Sequence, residues 1–239
     1  MLKEDTLLER GDIMKISENL KKAFEESDIV RTYPKGSFLY REGDFADKLF
    51  FIKNGKIQVS KAMPDGRELI LRICSSESIV GEFFLFTTPH KHILNAVVLE
   101  ECTVSILCKD DLEQKLSIDQ PIAIELIQLI NLEYRKTNSM FRDLILHGKK
   151  GALYSTLIRL SNSYGQETEN GIFITLPLTN QELANFCGTS REMVNRFLSQ
   201  LKKDGIISTD HRHIIIHDID FLKNEIECEN CPIEICNLH

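Results

Sequence analysis

Residues 179–203 read Thr179-Asn-Gln-Glu-Leu-Ala-Asn-Phe-Cys-Gly-Thr-Ser-Arg-Glu-Met-Val-Asn-Arg-Phe-Leu-Ser-Gln-Leu-Lys-Lys203. Thr179 stands three residues before Glu182, the spacing of a capping box, which predicts a short helix through Phe186. Gly188 permits a tight turn. Thr189-Ser-Arg-Glu192 repeats the capping pattern and predicts a second helix over 190–203. Met193, Val194, Phe197, Leu198 and Leu201 share one face of that helix; Arg191, Glu192, Asn195, Arg196 and Ser199 share the other. The polar face suits a reader of base edges, because Arg can bind guanine with two hydrogen bonds and Glu can accept from cytosine N4. Thr189 and Ser190, beside the free amides of the helix start, suit phosphates. A charged face alone is usually just solvated, and Glu192 can be only a cap. The hairpin that follows, 206–218, adds a wing and favours a winged helix-turn-helix on double-stranded DNA.

Upstream, Gly171–Leu176 reads as a strand and Ala152–Tyr164 as a helix with Leu153, Leu157 and Leu160 on one face, stopped by Gly165. Gly148-Lys-Lys-Gly151 breaks the chain before it. From Ile122 to Leu146 there is neither Gly nor Pro, and apolar residues recur at helical spacing at 122, 126, 129/130, 134, 140/141 and 144. Pro121 suits the first turn, with Asp119 or Gln120 as cap. A helix of about 25 residues spans roughly 37 Å. It must bury its stripe on its own domain or on a twin helix of a second subunit, and the twin helix is the expectation.

The stretch 30–110 reads as β structure. Tyr33-Pro-Lys-Gly36, Gly43-Asp44, Asn54-Gly55, Asp65-Gly66 and Gly81-Glu82 are turn signals. Between them lie predicted strands at 49–52, 56–60, 68–73, 83–86, 96–99 and 103–107. Short strands so regularly punctuated suggest a small barrel or sandwich. The expected class is α+β, in four segments. These are a β-domain with an amino-terminal helix (1–118), a dimerisation helix (119–147), a winged helix-turn-helix (148–223) and a tail (224–239).

The chain has 239 residues, 42% of them hydrophobic and 27% charged, ordinary values for a globular protein. Its net charge of −7 argues mildly against nucleic acid, but binding depends on local basic surface, here Arg191, Arg196, Lys202 and Lys203. No apolar run reaches a membrane-spanning length. Met-Leu-Lys-Glu-Asp-Thr at the start lacks the pattern of a secretion signal. The cytoplasm is the expected compartment, with thiols reduced. No P-loop, dinucleotide fingerprint or Ser/His/Asp constellation is found, so an enzyme is not expected.

Three of the seven cysteines crowd into the tail as Cys228, Cys231 and Cys236, with Pro232 between. As thiolates they can hold a soft metal or an iron–sulfur cluster. Cys74, Cys102, Cys108 and Cys187 are scattered among apolar residues and read as core. Three readings of the trio stand open: a cluster, a zinc ion held with His239 as fourth ligand, or unligated thiols on a disordered tail.

Thr179–Ile207, with Ser190-Arg-Glu-Met-Val-Asn-Arg196 inside it, resembles the helix-turn-helix of the CRP/FNR transcription regulators. The resemblance covers nearly the whole chain. It implies a cyclic-nucleotide-binding-type β-roll, a long dimer helix and a winged helix, in that order. Arg191, Glu192 and Arg196 match the base-reading residues of the CRP subgroup, which implies a palindrome with TGTGA-like half-sites, a homodimer and RNA polymerase as partner. Members that bind cyclic AMP follow a Gly-Glu turn, about ten residues later, with Arg-Ser or Arg-Thr. Here Gly81-Glu82 is present, but the later positions are His92 and Ile93. Neither replaces the permanent charge of Arg, so cyclic AMP is not expected and Glu82 is read as structural. No Cys precedes Cys74, which sets aside the amino-terminal cluster of many FNR proteins. The carboxy-terminal trio is similar to the Bacillus type of FNR. That likeness implies an oxygen-sensing [4Fe–4S] cluster with an aspartate of the dimer helix, by position Asp143, as fourth ligand.

Overall fold

In chain order the amino-terminal half comprises α1 (Glu18–Glu25), β1 (Val30–Tyr33), β2 (Phe38–Tyr40), β3 (Lys48–Ala62), β4 (Glu68–Cys74), β5 (Ile79–Val80) and β6 (Asn95–Cys108). The computed structural model describes residues 17–239; the readings made for the first sixteen positions lie outside them. All six strands form one antiparallel sheet whose spine is β3 against β6, with β1 and β2 also on β6, and β4 and β5 also on β3. Side chains alternate along a strand, and β3 uses both faces. Phe50, Ile52, Ile57 and Val59 fill the inside of the roll with Tyr40, Val98 and Val104. Leu49 and Phe51 point outward onto Leu20, Phe24, Leu112, Ile122 and Leu126. The roll thus has a filled interior and an apolar outer seat for helices.

Two turn signals behave differently. Asp65-Gly66 makes the hairpin between β3 and β4, with Gly66 at φ +84°. Asn54-Gly55 does not reverse the chain: β3 runs straight through it, and its pairing with β6 slips there in a bulge. Both devices need positive φ, so the dipeptide alone cannot tell them apart. A Cβ on Gly55 (φ +91°) would strike the Glu101 carbonyl oxygen and lie 2.7 Å from Cys102 Cα. Gly55→Ala is therefore expected to cost about 2–4 kcal/mol, from strain at positive φ plus overpacking. A fall in the urea midpoint of the roll checks this. The predicted strand at 83–86 is irregular chain, and the stretches 96–99 and 103–107 are parts of the single strand β6.

Helix α2 (Lys109–Ile118), which the sequence reading lacks, leads into α3 (Gln120–Tyr164). Asp119 caps α3, accepting from the Ile122 amide, with Pro121 in the first turn. Gly148, at φ +61° and ψ −157°, interrupts the helical backbone and divides α3 into two arms. A Cβ there would meet nothing within 4 Å. The requirement at Gly148 is conformational, not spatial.

The first arm has two distinct apolar faces. Ile122 and Leu126 are buried on the roll. Ile124, Ile127, Tyr134, Phe141 and Ile145 are exposed. With exposed Asn131 and Asn138 they follow a 3-4 spacing, the seam of a coiled coil.

The second arm is buried all round from Leu153 to Ser161. On one side lies the winged helix: β7 (Gly165–Thr168), β8 (Gly171–Ile174), α4 (Asn180–Phe186), α5 (Arg191–Lys203), β9 (Ile207–Asp210), β10 (His213–Ile216) and α6 (Ile219–Glu225), with sheet order β7-β8-β10-β9. On the other side lies the tail. Cys236 and Leu238 belong to the same core, with Cys228 and Cys231 packed against it, so the tail is not disordered. Residues 235–239 are gripped in turn. The Ile235 carbonyl accepts from Arg159 (2.9 Å), that of Cys236 from Asn162 (2.7 Å) and that of Leu238 from the Ile73 amide of β4 (2.9 Å). The His239 carbonyl accepts from Lys136 (2.8 Å).

Candidate functional site

Helix α4 opens with the reciprocal capping box of Thr179 and Glu182. The cap of α5 is Ser190 rather than Thr189: the Ser190 hydroxyl accepts from the Met193 amide at 3.3 Å, and the helix begins at Arg191. Val194, Leu198 and Leu201 are buried and Phe197 packs half-buried on the same core, while Met193 is half-buried apart from it. Arg191, Glu192, Arg196 and Ser199 are exposed on the outer face. Asn195 departs from the expectation. Its side-chain oxygen accepts from Asn180 of α4, and it is half-buried, so it ties the two helices together. Thr189 is half-buried just before the cap. Arg196 leans along its own helix, with its guanidinium 5.4 Å from the Phe197 ring centre. The wing tip holds exposed His211, and Arg212 pairs with Glu182 at 3.2 Å.

Cys228, Cys231 and Cys236 are free thiols. Asn230 takes a positive φ, and the amides of Ile235 and Cys236 both donate to the Pro232 carbonyl, so one tight turn brings Cys236 back beside the other two. All three line one small cavity with Asp143, Ser139, Arg142, Ser155 and Arg159. Asp143 is thereby brought to the trio from 85 residues upstream of Cys228 (228 − 143). Its carboxylate is almost wholly buried and fully engaged. Oδ1 accepts from Arg142 (2.8 and 3.1 Å); Oδ2 accepts from Ser155 (2.5 Å) and from Arg159 (3.2 Å). Burial works against the charge on Arg142, but Asp143, Glu229 and Cys231 outweigh it and hold the guanidinium well above its usual pKa. Burial pushes the Cys236 thiol up, against the pull of Arg159.

The donor set, three thiols and one carboxylate, fits an iron–sulfur cluster chemically. The space is closed up: the cavity is about 10 Å³, room for one water at most. Among the described residues no three His, Cys, Asp or Glu side chains stand at the spacing of a single metal ion. His239 does not join the trio. Its ring lies 5.0 Å from that of Tyr164 and lines a different cavity, against the roll.

Comparisons with known proteins match this arrangement in order. A family model for a cyclic nucleotide-binding domain matches residues 30–119, and one for a Crp-like helix-turn-helix domain matches residues 151–225. The "Anaerobic regulatory protein" of Bacillus subtilis is 48% identical over 224 residues, covering 93% of this chain and 94% of that one. The chain belongs to the CRP/FNR family of DNA-binding transcription regulators. A "CRP-like cAMP-activated global transcriptional regulator" of Mycobacterium tuberculosis is 28% identical over 190 residues, 80% of this chain and 84% of that one. A solved structure of the c-di-GMP-responsive global regulator of Xanthomonas campestris has the same fold. Its TM-score is 0.74 at 24% identity, over 84% of this chain and all of that one.

Within this CRP/FNR member Glu82 and His92 make local contacts in the β-roll. Glu82 accepts from the amides of Ile93 (3.1 Å) and Leu94 (3.1 Å), closing its own loop. Burial would push its carboxyl up, but His92 and those amides hold it below the usual range. His92 is buried and stacks on Tyr40 at 3.7 Å, while Ile93 is exposed. The neighbouring cavity, about 220 Å³, is lined by Val59, Arg72, Glu133, Lys136, Leu238 and His239. Arg72 is spent on Glu133 at 2.5 Å. Among the described residues no helix is long and apolar enough to cross a membrane.

Proposed function

We propose that this CRP/FNR protein is an oxygen-responsive regulator of anaerobic genes, acting in the cytoplasm as a homodimer that recruits RNA polymerase. It binds a palindrome with TGTGA-like half-sites while Cys228, Cys231, Cys236 and Asp143 hold a [4Fe–4S] cluster. The observation that carries the reading is the convergence of three free tail thiols and a buried Asp143 at one cavity, between the dimer-helix arm and the DNA-binding unit. The similar protein named an anaerobic regulator supports it. When bound, such a cluster supplies iron–sulfide bonds that oxygen attacks. The chain's own part is to fix where the tail sits: Arg159, Asn162 and Lys136, all on α3, hold its carbonyls. Zinc held by the trio with His239 lacks its fourth ligand, because that ring points into the other cavity.

On DNA, Arg191, Glu192 and Arg196 read base edges, Thr189 and Ser190 meet phosphates, and Asn195 supports the reading helix through Asn180. Arg196→Ala is expected to cost about 1–3 kcal/mol at one base pair and to relax specificity there, as read by competition with single-base variants. An equal loss on every sequence reassigns Arg196 to a phosphate.

Cyclic AMP is not a ligand in this reading. The roll cavity is smaller than the ~300 Å³ at which ligand pockets begin, and the tail occupies part of its wall. Titration calorimetry with cyclic AMP is expected to show no heat of binding; micromolar affinity would overturn this point.

The test of the whole is purification without oxygen, followed by the visible spectrum and by iron and sulfide assays before and after air. The expected result is a brown protein that bleaches in air as its affinity for the palindrome falls. A colourless protein free of iron refutes the sensing mechanism and leaves the DNA-binding assignment in place.

A further inference from the structure

Asp143 meets two arginines that differ in almost every respect. Arg159 is buried, with its side chain 2% exposed. It is anchored on four sides: Ser155 Oγ at 3.2 Å, Ser139 Oγ at 2.8 Å, the Ile235 carbonyl at 2.9 Å and Asp143 Oδ2 at 3.2 Å. It has nowhere to turn without orphaning several buried groups. Arg142 is 28% exposed and holds Asp143 Oδ1 from the open side. Its other partner, Glu229, is a solvent-facing residue between Cys228 and Cys231. The two oxygens of Asp143 are thus divided, one fixed by Arg159 with Ser155, the other held by Arg142 alone.

The cavity among the four candidate ligands holds one water at most, so admitting anything larger requires a side chain to leave. Ser139, Asp143, Ser155 and Arg159 are buried, and Arg142 is the polar wall with a path to solvent. Its departure also removes a bond to one oxygen of Asp143 and frees the loop around Glu229.

We infer, on the iron–sulfur reading above, that the two arginines act on Asp143 in opposite senses. Arg159 positions the carboxylate for iron and leaves one fixed positive charge beside an anionic ligand set. Arg142 is a displaceable stand-in that occupies the site when no cluster is there and competes with iron for Asp143 Oδ1. Arg159 is a positioning residue, Arg142 is a competitor for Asp143, and neither is a ligand.

The experiment is anaerobic reconstitution of the full-length apoprotein with iron(II) and sulfide. It is followed by the growth of visible absorption, and then by iron release to a chelator. Arg142→Ala is expected to take up the cluster roughly 2–5-fold faster than wild type, the worth of an ion pair whose cation reaches solvent, removed from the competition. Arg159→Gln is expected to release iron about 10–100-fold faster, as loss of a ligand-orienting partner does. Arg159→Lys, which keeps the charge and loses the fork, is expected to fall between. A gain in Arg142→Ala with the melting temperature kept does not come from a loosened fold, and the opposite signs are then the decisive readout. Slower or unchanged uptake in Arg142→Ala overturns the inference, as does an Arg159→Lys protein indistinguishable from wild type. A wild-type protein that takes up no iron refutes the iron–sulfur reading itself, which separates the two failures.

Discussion

A protein carrying Ile127→Asp and Phe141→Asp is expected to sediment as a monomer at micromolar concentration and to lose at least about a thousandfold in affinity for a two-half-site duplex. Ile127 and Phe141 are 57% and 63% exposed in the isolated chain, on the face of α3 that faces away from the roll. Around them Ile124, Tyr134 and Ile145 continue the seam, with Asn131 and Asn138 at two of its positions. Buried polar residues at such positions fix the register of a helix pair at some cost in stability. In a two-fold interface each substitution is present twice and opposes its own copy. Every apolar side chain lost there removes about 1.5–3 kcal/mol of burial, and four carboxylates at one seam add desolvation. The fold of each subunit is spared, because Ile122 and Leu126, which seat α3 on the roll, lie on the opposite face. A doubly substituted protein that remains dimeric by sedimentation would place the dimer contact elsewhere.

The second large effect belongs to Cys236. Cys236→Ser is expected to abolish the visible chromophore and lower iron from about four per chain to near zero, measured on anaerobically purified protein. Of the trio, Cys236 is the buried member, set in the core of the winged helix beside Leu238. A serine there leaves a buried hydroxyl short of partners, costing about 1–3 kcal/mol. Some stability is therefore lost together with the iron. Cys228→Ser, at a half-buried position, separates the two effects: the iron is lost and the melting temperature is nearly kept. Retention of the full spectrum in either variant would end the cluster assignment.

How much of this was legible beforehand depends on whether the signal was local. The capping box at Thr179, the hairpin at Asp65-Gly66 and the helix start at Asp119-Gln-Pro121 are each complete within a few residues, and each is found in place. Asn54-Gly55 is as good a turn signal as Asp65-Gly66, yet its outcome is decided by the pairing of β3 with β6, more than forty residues away. Helix α2 leaves little signal in the sequence because it shows a single buried side chain, Leu112, and so no stripe. The heptad face and the roll-facing stripe of α3 overlap in sequence and read as one broad apolar band; only the packing separates them. Asp143 is marked by family likeness and not by its sequence neighbours, since a lone acid on a helix reads as solvated. Arg159 carried no signal either. Its partners Ser139 and Asp143 lie one turn apart on the first arm of α3 and Ile235 lies in the tail, stretches that only the fold brings to Arg159.

Those long-range unions also order events in time. The hydrogen bonds from Arg159, Asn162 and Lys136 to the tail close loops of 76, 74 and 103 residues. Lengthening a loop is inexpensive at equilibrium, about 0.6 kcal/mol per doubling, but contacts distant in sequence form slowly. The tail's partners sit on β4 and on both arms of α3, so it has no berth until the roll, the long helix and the winged helix stand together. It is expected to be the last piece of chain to settle. A cluster bound beneath it would enter a protein whose two halves are already built, and its loss is expected to leave both standing.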